Sequence, residues 1–225
     1  MRKLVGFGAG LVAVGPDLLF VESRRQGYQY WRYSLPTDSL SAATQDKYFA
    51  AKFGLLADAV RVVFGENPWV EGARLNDGSL LAVFYQDSRV HKFNARGEVE
   101  WTWDNPYGDA IYSISCDGSR FWCAYPSGQC IRAFSLESRE ELATLGGEDQ
   151  EVFSYPEQVV AQDGVLFVVE MGNRRIRIVD AETLAMTTYR TFTTTIWEYV
   201  RAEDKEFVLI GSSTEGDAAK GIYLL

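Results

Sequence analysis

Apolar positions in this chain fall into short runs, each followed by a polar loop and then by a stretch in which apolar and polar residues alternate. Runs this short, with a period of two, predict strands rather than helices. The apolar runs are Leu18 to Val21, Leu80 to Phe84, Phe121 to Tyr125, Leu166 to Val169 and Phe207 to Ile210. The alternating stretches are Tyr28 to Leu35, Arg89 to Asn94, Cys130 to Ser135, Arg175 to Asp180 and Lys220 to Leu225. A further strand precedes each apolar run: Leu11 to Gly15, Val70 to Asn76, Ala110 to Cys116, Pro156 to Gln162 and Trp197 to Glu203. Outer strands follow at Glu98 to Trp103, Glu141 to Leu145 and Ala185 to Phe192.

The turns give this grammar its period. Asp77-Gly78, Asp117-Gly118 and Asp163-Gly164 each separate a first strand from a second, and Pro16-Asp17 and Asp204-Lys205 stand in the equivalent places. Asp-Gly between apolar runs predicts a type I′ hairpin, because both central residues of that turn need positive φ. After the first, the intervals are 40, 46 and 41 residues. Four strands per unit of this length predict a β-propeller blade. The expected fold is all-β, a five-bladed propeller of four-stranded blades forming a single domain over residues 1–225. The blades fall near 8–64, 65–104, 105–147, 148–192 and 193–225. The last lacks an outer strand, and residues 2–7 are expected to supply it, which removes an exposed sheet edge.

The first interval is longer, and an insertion at 36–58 in blade one accounts for it. Within it Thr44 to Leu56 predicts an amphipathic helix, with Phe49, Phe53 and Leu56 at helical spacing and Ser41 or Thr44 as its cap. Ala59 to Phe64 is then expected as the outer strand of blade one.

Blade four carries a sharper signature. It holds Pro156, an apolar strand, Asp163-Gly164, a second apolar strand ending at Glu170, and then Gly172-Asn173-Arg174-Arg175-Ile176. Over residues 155–180 this resembles an NHL repeat, with Pro156, Gly164, Gly172, Asn173, Arg175 and Ile176 at the matching positions. The resemblance implies a propeller and little about chemistry, since propellers host binding modules and enzymes alike. The chain departs from that family in having material for five blades rather than six or seven. RNA-binding relatives use a basic surface, and lyases on similar propellers use several histidines and a metal. This chain has one histidine, His91.

Composition narrows the function classes. Of 225 residues, 47% are apolar and 24% charged, which excludes a disordered chain. Acidic residues outnumber basic ones by 31 to 22, the wrong sign for a nucleic-acid binder. No apolar run is long enough to span a bilayer, so no membrane partner is expected. Arg2 and Lys3 before Leu4 to Val14 imitate a signal peptide, but three glycines interrupt the stretch and the first and last blades need it. Three cysteines, an odd number, fit a reducing, cytoplasmic compartment. Cys116, Cys123 and Cys130 lack the paired spacing of a zinc site and are expected as free thiols, although a loop centred on Pro126-Ser127 would set Cys123 opposite Cys130.

The candidate chemistry comes from aligning the five first strands on their turns. The position seven residues before Gly78, Gly164 and Lys205 holds Glu71, Glu157 and Glu198, while blade three has Ile111 there and blade one Gly10. Carboxylates converging at one mouth of a propeller bind a hard cation, share a proton, or serve acid–base chemistry on a glycosidic bond. Trp69 and Trp197 stand close by in sequence, with Tyr107 and Tyr155 in the equivalent connections, and aromatic faces beside acids suit cationic ligands, sugars or protein anchors. The loops between second and third strands add Asn173 and Arg174, along with Arg24, Arg25, Gln86, Asp87, Ser127 and the segment Ser212 to Lys220. A lone histidine gives no Ser-His machinery, so no catalytic residue is assigned, no cofactor is expected, and the metal question stays open. The function expected is a non-enzymatic module recognising a basic protein or peptide at that mouth. The alternatives are a small-ligand, glycan or cation-binding propeller, or a hydrolase using the glutamates.

Overall fold

The computed structural model describes residues 1–147, 152–202, 204–211 and 219–225. It contains five four-stranded antiparallel sheets, the blades of a five-bladed β-propeller. Blade one is β2 (Gly10–Val14), β3 (Asp17–Arg24), β4 (Gly27–Ser34) and β5 (Ser39–Ala42). Blade two is β6 (Val70–Arg74), β7 (Leu80–Phe84), β8 (Arg89–Phe93) and β9 (Val99–Asp104). Blade three is β10 (Ser113–Cys116), β11 (Arg120–Tyr125), β12 (Cys130–Ser135) and β13 (Glu141–Gly146). Blade four is β14 (Pro156–Gln162), β15 (Val165–Glu170), β16 (Arg175–Asp180) and β17 (Met186–Thr191). Blade five is β18 (Ile196–Ala202), β19 (Lys205–Ile210) and β20 (Gly221–Leu224), completed by β1 (Arg2–Val5) from the N-terminus. β1 pairs antiparallel with β20, Arg2 opposite Leu224 and Lys3 opposite Tyr223, as the strand count requires. Of the expected stretches, Glu203 and residues 212–218 of the last loop lie outside the described residues.

The chain forms two compact units. One comprises Met1–Ala57 with Thr194–Leu225 and holds blades one and five; the other is Asp58–Thr193 and holds blades two, three and four. The first unit packs Leu11, Leu18, Phe20 and Tyr33 against Phe207, Leu209 and Ile222. In the second, one cluster joins Leu81, Val83 and Val90 to Phe121, Cys123 and Phe134, and another joins Trp122, Ile131 and Ala133 to Val159, Val168 and Val179. Second strands are buried on both faces, which explains their unbroken apolar runs.

The insertion differs from its expectation. The outer strand of blade one is β5, four exposed residues with no apolar alternation to betray it. Ala57–Phe64, expected in part as that outer strand, is helix α2. Its buried Ala57 and Val60 and half-buried Phe64 fall at helical spacing, and Arg61 pairs with Asp58 at 2.8 Å, one turn away. Upstream, α1 (Gln45–Phe53) forms where the sequence places it, capped by the Thr44 hydroxyl on the Lys47 N–H and burying Phe49 and Phe53. A 3₁₀ turn at Gly54–Leu56 follows.

The three Asp-Gly turns are not alike. Only Asp163-Gly164 has positive φ at both residues, 53° and 79°, and joins its strands by a two-residue loop. At Asp77 the carboxylate accepts the Ser79 N–H at 2.9 Å and the Ser79 hydroxyl. That Asx turn serves a longer loop and holds the acid below its usual range. The cysteines remain thiols: Cys123 pairs with Arg132 and Cys130 with Tyr125, because the loop starts one residue later than a bridge needs. Among the described residues no helix is long and apolar enough to cross a membrane.

Candidate ligand-binding site

Glu71 and Glu157 occupy the same place in blades two and four, the second residue of the first strand. At Glu157 the strand bulges: Pro156 faces Glu170 and Gln158 faces Val169, leaving Glu157 outside the ladder. The structure brings the two carboxyls within electrostatic reach. Burial, with the charge of Glu71 added, pushes the Glu157 carboxyl up to about 7. Its Oε2 atom is buried and has no hydrogen-bond partner.

Tyrosines from three successive blades form a chain that reaches Glu157. Tyr112 hydrogen-bonds Tyr155 and faces the Glu157 carboxyl; burial, then Tyr155 and Glu157, raise its phenol above the ordinary value. The Tyr85 ring lies 5.4 Å from that of Tyr112. All five side chains are half-buried. Tyr155 has left-handed backbone geometry, φ 54°, which a bulky residue avoids. Two bonds hold it there: its N–H donates to the Gln129 side chain at 2.8 Å, and its carbonyl accepts the Met171 N–H at 3.0 Å. Strain of this kind persists where the surroundings over-determine it.

The other expected residues are placed differently. Glu198 belongs to the first unit, where its carboxylate accepts the Leu11 N–H at 2.8 Å and ties β18 to β2. Trp197 packs on that unit's core, and its ring lies over Gly211, where a Cβ would come within 2.0 Å of it. Trp69 is half-buried and donates its backbone N–H to the Asn67 side chain at 3.0 Å. Tyr107 donates to Glu141 on the outer strand of blade three, with the Arg132 guanidinium 3.9 Å from its ring centroid. Asn173 donates to Glu170 at 2.7 Å, and Arg174 to the Thr193 carbonyl at 2.9 Å. Glu198, Tyr107, Asn173 and Arg174 thus make contacts within the scaffold.

Glu170 is the centre of that second arrangement. Its fully buried carboxylate accepts the Ser154 N–H (3.0 Å), the Asn173 amide, Arg175 Nε (2.6 Å) and Arg177 Nε (3.0 Å). The NHL-like residues are thus a hydrogen-bonded corner of blade four. Gly172 belongs to it, since a Cβ there would meet the Ser154 hydroxyl at 2.3 Å.

Sequence reasoning passed over Tyr85 and Tyr112. Tyr112 directly follows Ile111, the apolar member of the aligned glutamate column, so the signal lay one residue off the column. Also unforeseen is a cavity of about 630 Å³ at the opposite end of blades two to four, lined by their first turns, including Asp77, Asp117 and Asp163. Arg120 lies along it, bound to Asp117 and, at 3.0 Å, to Glu182 of blade four. His91 is buried beneath Phe64, their rings 5.1 Å apart, with Nδ1 3.0 Å from the Thr102 hydroxyl; burial lowers its pKa. Among the described residues no group of three His, Cys, Asp or Glu side chains is placed to hold a metal ion.

No protein-family model and no curated protein matches the chain. Solved structures do. A virginiamycin B lyase from Staphylococcus aureus aligns over 96% of this chain with a TM-score of 0.53 and 12% identity; this chain covers 65% of that one. The computationally designed Ika4 protein aligns over 69% of this chain and 89% of its own, with a TM-score of 0.51 and 9% identity. At such identities the likeness establishes the propeller fold and no chemistry.

Proposed function

We propose that this protein is a non-enzymatic binding module that takes a basic protein or peptide partner at the end of blades two to four where the first strands begin. The observation that supports it is the Glu71–Glu157 pair: Glu71 lies in electrostatic range of a Glu157 carboxyl whose buried Oε2 has no hydrogen-bond partner. The strained Tyr155 and its neighbours Tyr112 and Tyr85 offer aromatic faces at the same place. The net charge of −9 favours encounter with a basic partner at low salt. In this reading the NHL-like corner around Glu170 is scaffold, and a reducing, cytoplasmic setting suits the free thiols.

Fluorescence anisotropy with labelled oligolysine and oligoglutamate peptides tests it. Wild-type protein is expected to bind oligolysine at low salt, to release it at high salt, and to ignore oligoglutamate. A folded Glu71→Gln/Glu157→Gln double variant that binds oligolysine as the wild type does overturns the reading.

A further inference from the structure

We propose that His91 is an acid-released latch: while its imidazole is neutral it seats the Phe64 end of α2 on blade two, and when it takes up a proton that end of the helix lets go.

α2 meets blade two through its last residue. Its Phe64 ring stands at 90° to the ring of His91 on β8, with centroids 5.1 Å apart. The helix stops there: Gly65, left-handed at φ 68°, donates its N–H to the Arg61 carbonyl at 2.8 Å. The imidazole under this contact is only 8% exposed. Its Nδ1 meets the Thr102 hydroxyl at 3.0 Å, and its Nε2 is buried with no hydrogen-bond partner. For a neutral ring that leaves one uncharged nitrogen without water, a modest cost. An imidazolium carries a donor proton on both nitrogens and a full charge, and only Nδ1 has an acceptor. Lifting Phe64 away opens the ring to water, which meets both needs.

The charges nearby do not rescue the imidazolium. On its own strand Arg89 opposes it, and Lys92 pairs with Glu100. Asp87, in the loop before β8, favours the charged form but pairs with Arg89 at 2.8 Å. Asp104 on β9 favours it too, and burial outweighs both acids. β7 sets Ala82 opposite His91 and has no titratable side chain. On α2, Asp58 and Arg61 pair with each other at 2.8 Å. The neutral ring is therefore the form that fits beneath the helix. Docking is complete above the ordinary histidine value of 6.5 and weakens as the pH falls below it.

His91 is the only histidine in the chain, so its ring resonances report on it directly. Proton NMR between about pH 5 and pH 8 is expected to show the imidazole titrating below 6.5. In Phe64→Ala the midpoint should move up toward that value, because proton and latch are linked. Hydrogen exchange, corrected for its intrinsic pH dependence, reads the helix itself. Protection of the last turn of α2 should fall by up to about tenfold from pH 7.5 to pH 5.5, the most that a group of this ordinary value allows. β12 in blade three serves as the unchanged reference. His91→Asn keeps a polar group toward Thr102 and cannot become charged, so the fall should vanish in it; its melting curve at pH 7.5 verifies folding. Four results overturn the proposal. One is an imidazole that titrates at or above its ordinary value, and another is a midpoint indifferent to Phe64→Ala. The third is an equal fall in folded His91→Asn. The last is protection that rises on acidification, as an imidazolium held against the Phe64 ring would give.

Discussion

Glu170 and Glu157 lie in neighbouring strands of one blade, separated by a single step of the ladder, and their surroundings are opposite. Glu170 is fully buried and answered on every side by two guanidiniums, a side-chain amide and a backbone N–H. Glu157 has a buried oxygen with no partner and a second acid in range. The same functional group is scaffold in one place and an unmet electrostatic demand in the other. A buried charge supplied with partners fixes a local structure, while a buried carboxyl left without them is the observation on which the proposed binding reading rests. The comparison is breakable by mutation.

The largest effect belongs to Glu170. Glu170→Ala strands Arg175 and Arg177, both mostly buried, without their shared counter-charge. Breaking such a pair costs about 3–5 kcal/mol, measurable by urea denaturation. A loss below about 1 kcal/mol would show that the corner is not scaffold at all.

Glu157 should show its character through pH. Its folded value, about 7, lies above its ordinary 4.5, so the native state keeps a proton that the unfolded chain has released. Stability is therefore full below about pH 4.5 and falls as the pH rises through 7, by roughly 2–3 kcal/mol for this group. Glu157→Gln should remove that slope and be the more stable protein at pH 8. His91 acts with the opposite sign: burial lowers it, so its contribution is lost as the pH falls below its ordinary 6.5. The difference between wild type and Glu157→Gln cancels that term. Equal slopes in the two proteins would erase the contrast with Glu170.

How much of this was legible in the sequence follows from what each residue answers to. Strand order, blade number and the exchange of β1 into blade five rest on burial patterns and turns, which are local and periodic. β5 and α2 were misread because the strand is exposed and carries no alternation, while Val60, Val62 and Val63 are β-branched residues that suggest a strand, and the buried Ala57 and Val60 anchor that segment as a helix. Alignment on the turns set Glu71 and Glu157 in one column, and both are the second residue of their blade's first strand. The same column also offered Glu198, and nothing in one sequence distinguishes an acid bound to the Leu11 N–H from one without a partner. Aromatic residues near the column divided similarly: Tyr155 meets Tyr112, whereas Tyr107 goes to Glu141 and Arg132. Those fates are set by long-range contacts.

Asn173 sharpens the scaffold side of the comparison. Its amide donates to Glu170 within the corner that the guanidiniums dominate. Asn173→Ala removes one hydrogen bond to a charged group and leaves the charge neutralised, so the expected cost is about 1–2 kcal/mol, with no change in oligolysine binding. A loss of binding with full stability would move Asn173 from scaffold to site.

The smallest effect is the most discriminating. Tyr112→Phe deletes one hydroxyl, the one that meets Tyr155 and faces Glu157. The ring and its packing against Tyr85 remain. Loss of a single neutral hydrogen bond costs about 0.5–1.5 kcal/mol, which a denaturation curve resolves only narrowly. The titration of Glu157 is the better readout. That hydroxyl is a polar neighbour to a carboxyl otherwise short of partners, and without it the ionised form has less to offset its burial. The midpoint of the pH-dependent loss of stability should therefore move upward in Tyr112→Phe. An unchanged midpoint would mean that the tyrosines pack beside the glutamates without sharing their electrostatics, and the site would shrink to the two acids.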